Sequence, residues 1–292
     1  MRVDVNRGLA VYRVGTGEPI LVMPYPHAST NRPMGEDVLS GSVTRLGRQV
    51  VTFDPPGAYR STRPMRCDVT EMLDSAVESL RVAGVDPPVD LIGHSMGALC
   101  ALALAVERPT IVRRLVLVGA CSGFAAVRRW SVPHNWDPWR DSEWWQCLWY
   151  GFRHMTGHGN LATHKRLDNL VTSASYVDSR HVQLRPIDPR DPHTPAPARS
   201  CWLKSVRRVE YRDRLHEVGA PTLLVVGRHD PQTPPVCTEE LATGITGSRV
   251  VLFERSGHAP FVEEPDRFLA VVDGFLDGRG PDLWGPRSRT GP

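Results

Sequence analysis

The sequence predicts an α/β fold, a mostly parallel, doubly wound sheet with one inserted segment, and three observations carry that prediction. Short apolar runs rich in Val, Ile and Leu recur along the chain, helical patterns separate them, and the alternation fails once, between residues 122 and 205. In chain order the runs are 19–23 (PILVM), 49–53 (QVVTF), 89–92 (VDLI), 115–118 (LVLV), 221–226 (PTLLVV) and 249–253 (RVVLF). They are continuous rather than alternating, the pattern of strands covered on both faces, so they belong to a parallel sheet. Over 69–83, Met72, Leu73, Ala76, Val77 and Leu80 fall at helical spacing, with Asp68 placed to cap the start and Gly84 just past the end. A second helix, rich in Ala and Leu, runs from Met96 to about Glu107 and stops before Pro109.

Between 122 and 205 the composition shifts to Trp, His and Arg, including Trp130, Trp136, Trp139, Trp144, Trp145, Trp149 and Trp202. The expected organisation is a core over 1–121, an inserted helical cap or lid over 122–205, the rest of the core over 206–280, and a flexible tail rich in Gly, Pro and Arg over 281–292. Within the insertion, 185–197 (RPIDPRDPHTPAP) holds too many prolines for a regular element and is expected to be a loop returning to the core. A chain of 292 residues, 41% of them hydrophobic, is long enough for one sizeable core plus such an insertion.

Lys and Arg total 35 against 32 Asp and Glu, and a net charge of +3 is too small for a nucleic-acid or membrane-surface binder. The expected partner is a small molecule, and nothing in the sequence sets the oligomeric state. The start of the chain, MRVDVNRGLAVYRVG, lacks the apolar stretch of about 7–15 residues found in a signal peptide. No apolar run reaches the length of about 18 residues that a membrane span needs. These readings predict a soluble, cytoplasmic protein. Six cysteines without a CxxC pair then read as reduced, packed thiols. His154 and His158 could share a helical face, but a zinc site needs a third ligand and an activating Glu, and none is suitably spaced. No metal or cofactor is expected.

The chemistry is concentrated in three segments. Gly93-His-Ser-Met-Gly97 follows an apolar strand and opens a helix, the context in which a Gly-x-Ser-x-Gly serine sits on a sharp turn with small residues around it. A serine hydroxyl is a weak nucleophile at neutral pH, so Ser95 needs a base and a group to orient that base. The run 221–226 leads into GRHDPQTP, which puts Asp230 just past a carboxyl end of the sheet, on the rim that carries Ser95. The run 249–253 leads into ERSGHAPF, which puts His258 there too. Taken singly, Asp230 before Pro231 also suits a simple turn, and His258 is one of 11 histidines. It is their order, Ser, Asp, His, after consecutive late strands that joins them into one site.

With these segments the sequence resembles the α/β-hydrolase superfamily: GHSMG, GRHDPQTP and SGHAPFVEEP match its nucleophile, acid and histidine segments, and FDPPGAYRST resembles its early strand-turn. The match covers about 9–121 and 206–277, and the Asp and His segments most resemble proline iminopeptidase-like members. The resemblance implies an α/β-hydrolase fold with Ser95 as nucleophile, His258 as base and Asp230 as the acid orienting it. In that family an early loop reads His-Gly-x-Pro-Gly, and residue x donates a backbone N–H to the oxyanion. Here the loop is Met23-Pro-Tyr-Pro-His27, which makes Tyr25 the first donor and Met96 the second. Pro26 has no N–H to give. Two departures stand out: His27 replaces a glycine, and Tyr59 stands where the family commonly has glycine, so that either the turn is rebuilt or Tyr59 lines the pocket.

The fold hosts many reactions, so the site must choose. Dehalogenases and epoxide hydrolases of the superfamily use Asp where this chain has Ser95. Iminopeptidases hold a charged amino group with acidic cap residues, yet 122–205 contains one glutamate, Glu143, with Asp137, Asp141, Asp168, Asp178, Asp188 and Asp191 among many arginines and histidines. The tryptophans suggest an apolar or aromatic acyl group, though each could equally hold the cap to the core. The expected function is a serine hydrolase acting on a small ester, lactone or amide. An aminopeptidase, an acyltransferase or cyclase using the same acyl-enzyme, and a non-catalytic binder stay open.

Overall fold

The computed structural model describes residues 1–26, 33–127, 144–156, 158, 161–178 and 196–280. His27, Trp130, Trp136, Trp139, Glu143, residues 185–195 and the tail 281–292 lie outside them, as do the side chains of Trp144, Trp145 and His154.

Eight strands form one sheet in the order β1-β2-β4-β3-β5-β6-β7-β8. They are β1 (Arg2–Asn6), β2 (Leu9–Val14), β3 (Pro19–Met23), β4 (Gln49–Phe53), β5 (Val89–His94), β6 (Val112–Val118), β7 (Thr222–Gly227) and β8 (Arg249–Phe253). From β4 through β8 the pairing is parallel, while β1 and β2 add an antiparallel edge. The hairpin β1–β2 was not foreseen. Its two-residue turn puts Arg7 at φ 47° and Gly8 at φ 76°, the positive pair of a type I′ turn. Arg-Gly lacks the usual Asn-Gly signature, and β1, with Val3 and Val5 exposed, has no core pattern to read.

Helices cover both faces: α1 (Val38–Thr44), α2 (Val69–Ala83), α3 (Met96–Glu107), α7 (Pro235–Gly244), α8 (Pro260–Glu263) and α9 (Pro265–Leu276), with α4 (Trp144–Met155), α5 (Leu161–Ser175) and α6 (Ala196–Val206) between β6 and β7. The strands divide their side chains between two cores by the period-two rule. Leu21, Leu91, Leu115, Leu117 and Leu224 pack with Met72, Leu73 and Leu102 of α2 and α3. Ile20, Ile92, Val116, Val118 and Leu223 pack with Leu39 of α1 and Phe268 and Val272 of α9. Apolar residues at most positions of the central strands are what two covered faces demand. α2 is closed as expected: the Asp68 carboxylate accepts from Thr70 N at 3.1 Å, and Gly84 takes φ 70° at the other end.

The inserted residues are tied to the core at several points. Trp202 of α6 is fully buried, and its indole N–H donates to Pro56 O at 3.2 Å, so this tryptophan is a packing residue. Trp149 of α4 is exposed. The expectation of six reduced thiols fails at one pair: Cys67, just before α2, and Cys201, on α6, form a disulfide across 134 residues, with Cα atoms 5.8 Å apart. Spacing along a chain cannot reveal such a long-range pair. Cys100, Cys121 and Cys237 are free and buried. Among the described residues no helix is long and apolar enough to cross a membrane, and no group of three or more His, Cys, Asp or Glu could hold a metal ion.

The turn after β4 keeps the conformation its sequence makes costly. Tyr59 adopts φ 47°, so the turn is not rebuilt, and a non-glycine residue there carries strain of about 1–3 kcal/mol. The buried Asp54 holds it in place, accepting from Tyr12 Oη at 2.5 Å, Met34 N at 2.9 Å and Arg60 N at 3.0 Å. At the amino-terminal edge of the sheet a second buried carboxylate, Asp90 of β5, receives two bonds from Arg113 at 2.9 and 2.8 Å, with Arg48 and Arg114 each 3.6 Å away. Arg48 also reaches Asp277 beyond α9 at 3.1 Å, so this cluster ties the last helix to the central strand.

Two predictions follow from these buried carboxylates. Asp90→Ala leaves three arginines without their shared anion and should destabilise the fold by about 3 kcal/mol in urea unfolding, with unchanged turnover per folded molecule. For Asp54, burial outweighs its hydrogen bonds and pushes the carboxyl up from 3.8 to about 6. A folded-state value above the unfolded one favours the protonated form, so this contribution is complete below about pH 4 and is lost as pH rises through about 6. Asp54→Asn, which does not titrate, should be less stable than wild type at pH 4, and the gap should narrow by pH 7. Urea midpoints at the two pH values measure this.

Candidate active site

β5 ends in His94, and α3 begins at Met96, leaving Ser95 alone at the turn with φ 55° and ψ −125°. That conformation is held from several sides. Ser95 N donates to Val118 O at 2.9 Å, and Leu99 N to Ser95 O at 3.1 Å. The two motif glycines permit the packing: a Cβ on Gly93 would meet Gly97 O at 2.5 Å and Ala98 Cα at 2.8 Å, and a Cβ on Gly97 would meet Met23 O at 2.6 Å. The turn therefore closes against itself and against the loop that carries Tyr25. Ser95 is left half-buried on the carboxyl rim.

Asp230 follows β7 and is fully engaged. Its Oδ1 accepts from Gln232 N at 2.8 Å and Thr233 N at 2.9 Å, and its Oδ2 from Thr233 Oγ1 at 2.9 Å and from His258 Nδ1 at 2.7 Å. Burial would raise this carboxyl, but the attraction of His258 and the Thr233 donors outweighs it and holds Asp230 below the usual carboxylate range. An anionic Asp230 can only accept, so Nδ1 carries the shared proton and Nε2 of His258 is free to accept one. Nε2 is buried and has no hydrogen-bond partner among the described residues.

His258 follows β8. Its backbone N–H donates to Ser175 O at the end of α5, 2.8 Å away, and Gln232 Nε2 donates to Ser175 Oγ at 2.6 Å. The inserted segment thus touches both the acid loop and the histidine loop. Gly119, at the end of β6, makes room for the pair: a Cβ there would meet the His258 ring at 3.1 Å and Asp230 Oδ2 at 3.3 Å. Val118, the residue before Gly119, accepts the Ser95 N–H through its carbonyl at 2.9 Å, so the end of β6 adjoins both the serine turn and the His258–Asp230 pair.

Of the five residues singled out from the sequence, Asp230 and His258 are bonded to each other at 2.7 Å, while Ser95 and Met96 occupy the turn after β5 and Tyr25 the loop after β3. Tyr25 is buried and Met96 half-buried. One member of the cluster was missed. His94, inside the motif at a position the pattern leaves variable, is buried, with Nδ1 2.6 Å from Tyr25 Oη and Nε2 2.8 Å from His258 O. Its ring lies 4.6 Å from that of His258 and 5.0 Å from Phe261, centroid to centroid. A buried histidine beside a strand end has no sequence signature, so only the fold reveals it.

Comparison with known proteins agrees with this architecture. Residues 32–265 match the family model for the alpha/beta hydrolase fold. A pimeloyl-[acyl-carrier protein] methyl ester esterase of Neisseria meningitidis serogroup C is 28% identical over 210 residues, 70% of this chain and 76% of that protein. A proline iminopeptidase of Heyndrickxia coagulans is 25% identical over 304 residues, covering 94% of this chain and 97% of that protein. An alpha/beta fold family hydrolase from Bacillus anthracis superposes with a TM-score of 0.73 at 20% identity, over 94% of this chain and 97% of its own. A parallel sheet with a serine elbow after its central strand, and a family match spanning most of the sequence, make this chain a member of the α/β-hydrolase fold family and a hydrolase by that membership.

Proposed function

We propose that the chain is a serine hydrolase that forms an acyl-enzyme on Ser95, with His258 as general base and Asp230 as the group that orients it. The observation that carries this reading is the His258–Asp230 pair, bonded at 2.7 Å, with Nε2 buried and without a hydrogen-bond partner among the described residues. In the first step Ser95 Oγ attacks the substrate carbonyl, its proton passes to His258 Nε2, and the carbonyl oxygen takes the negative charge. Backbone N–H groups of Tyr25 and Met96 receive that oxygen. Collapse breaks the bond to the leaving group, which departs with the proton from His258. Water then enters, gives a proton to His258 and its oxygen to the acyl carbon, and the acid is released as Ser95 regains its proton.

The substrate we propose is a small ester, lactone or amide with an apolar or aromatic acyl group, and an ester is favoured by the methyl ester esterases among the relatives. An aminopeptidase needs free carboxylates to hold an α-ammonium group. The glutamates converging near Ser122 are already engaged: Glu240 accepts from Ser122 Oγ and pairs with Arg212 at 3.4 Å, and Glu210 accepts from Ala125 N at 3.3 Å. We also propose that 122–205 acts as a cap, because α5 reaches the histidine loop while α6 is anchored through Trp202 and Cys201. A cytoplasmic setting is part of this proposal. There the Cys67–Cys201 pair would meet a reducing pool, and its oxidation state in cells decides the compartment.

Ser95→Ala should abolish both covalent labelling by a fluorophosphonate and turnover across p-nitrophenyl esters, lactones and aminoacyl-naphthylamides, with the melting temperature retained. Near-normal turnover in that variant would sink the assignment. Asp230→Asn keeps the shape but favours the wrong histidine tautomer, so kcat should fall by about 10⁴, the loss known for the same change in a serine protease. If Asp230→Asn kept most activity while folded Asp54→Asn lost it, the third member of the triad would be misassigned.

A further inference from the structure

We infer that the Tyr25 hydroxyl and the His94 imidazole form a positioning bridge that holds the oxyanion loop and the histidine loop in register, an inference that rests on the triad proposed above. The bridge is directional. A carbonyl oxygen can only accept, so at 2.8 Å from His258 O it is His94 Nε2 that carries the proton. Nδ1 then has only a lone pair, and the Tyr25 hydroxyl donates to it at 2.6 Å. Both groups keep these forms over the working pH range: burial, reinforced by His258, pushes His94 down to about 3, and burial lifts the Tyr25 phenol well above its ordinary value. Among the described residues, the charged or titratable groups that face the two rings include His258 and Asp230 for His94, and Asp37, Tyr176 and Tyr59 for Tyr25.

The bridge does work that the loop's own sequence cannot. Relatives with His-Gly at its start have a backbone free to fold around the oxyanion. Met23-Pro24-Tyr25-Pro26 has no glycine, and within the stretch 24–26 only Tyr25 has an N–H. Met23 and Tyr25 each precede proline and are biased toward extended conformations. The loop also lies against the serine turn, since a Cβ on Gly97 would strike Met23 O. The direction of the Tyr25 N–H is therefore set by where its own side chain is anchored, and the anchor is His94, the residue before the nucleophile. The same imidazole fixes the carbonyl of His258, whose N–H is held by Ser175 O. One ring thus references the oxyanion donor and the base to each other.

The test uses the full-length protein and a fluorophosphonate, whose phosphoryl oxygen gains charge as Ser95 attacks, so that substrate identity does not matter. Tyr25→Phe removes only the hydroxyl. His94→Gln keeps a donor where Nε2 stood but places no acceptor at the Nδ1 position. Each variant should lower the maximal labelling rate about 10- to 100-fold while leaving the half-saturating concentration nearly unchanged, because losing an oxyanion donor outright costs about 10²–10³. The double variant should be no slower than the slower single, since both remove one bond. Wild-type labelling with an unchanged maximal rate in Tyr25→Phe would overturn the bridge, as would a loss fully explained by a smaller folded fraction in thermal melts. Full additivity in the double variant would also overturn it. A wild-type protein that takes no label would instead refute the triad itself.

Discussion

The backbone at Ser95 is held in a conformation that a non-glycine residue adopts only when its surroundings leave no alternative. The hydrogen bond to Val118 O fixes one side, the start of α3 fixes the other, and the bare faces of Gly93 and Gly97 let neighbouring backbone approach closely. The strain of about 1–3 kcal/mol is small beside the burial of β5 and α3, whose side chains are almost all inside the core. The fold therefore holds the serine hydroxyl on the rim without help from a ligand, and the rest of the site is arranged around that fixed point.

A parallel sheet makes the arrangement possible because every strand from β3 to β8 ends on the same rim. β5 delivers Ser95, β6 delivers the empty corner at Gly119, β7 delivers Asp230 and β8 delivers His258. Loops on one edge can then meet, and the Asp90 cluster with Arg113, Arg48 and Arg114 sits on the opposite edge. Two other buried carboxylates, Asp230 and Asp54, differ in the same way. Asp230 is held anionic by a histidine and three nearby donors, whereas Asp54 is driven toward its neutral form by burial and serves the turn around Tyr59.

The core strands and the three chemical segments were legible because continuous apolar runs and the glycines of GHSMG are local signals of what surrounds them. Asp230 and His258 could be placed on the rim from the ends of their strands, without knowing the contact between them. What escaped was set by distance. The β1–β2 hairpin lies at an edge where polar and apolar residues mix, the Cys67–Cys201 pair joins segments 134 residues apart, and His94 acquires its partners only when the loops at 25 and 258 arrive beside it. Tyr59 was recognised as an oddity, but that its positive φ survives could not be read, because the carboxylate that enforces it is shared with Tyr12 and Met34.

The histidine loop is held by two different parts of the molecule. His258 O is bonded to His94 in the core, while His258 N is bonded to Ser175 at the end of a helix from the inserted segment. The proposed base is therefore fixed relative to the nucleophile by one bond and relative to the inserted segment by the other. A motion of α5 that broke the Ser175 contact would release one side of His258 and loosen Gln232, two residues past Asp230, without touching the serine turn. Trp202 and the Cys67–Cys201 bridge anchor α6 elsewhere on the core. Among the described residues of the insertion, Ser175 is bonded both to the histidine loop, through its carbonyl, and to the acid loop, through its hydroxyl.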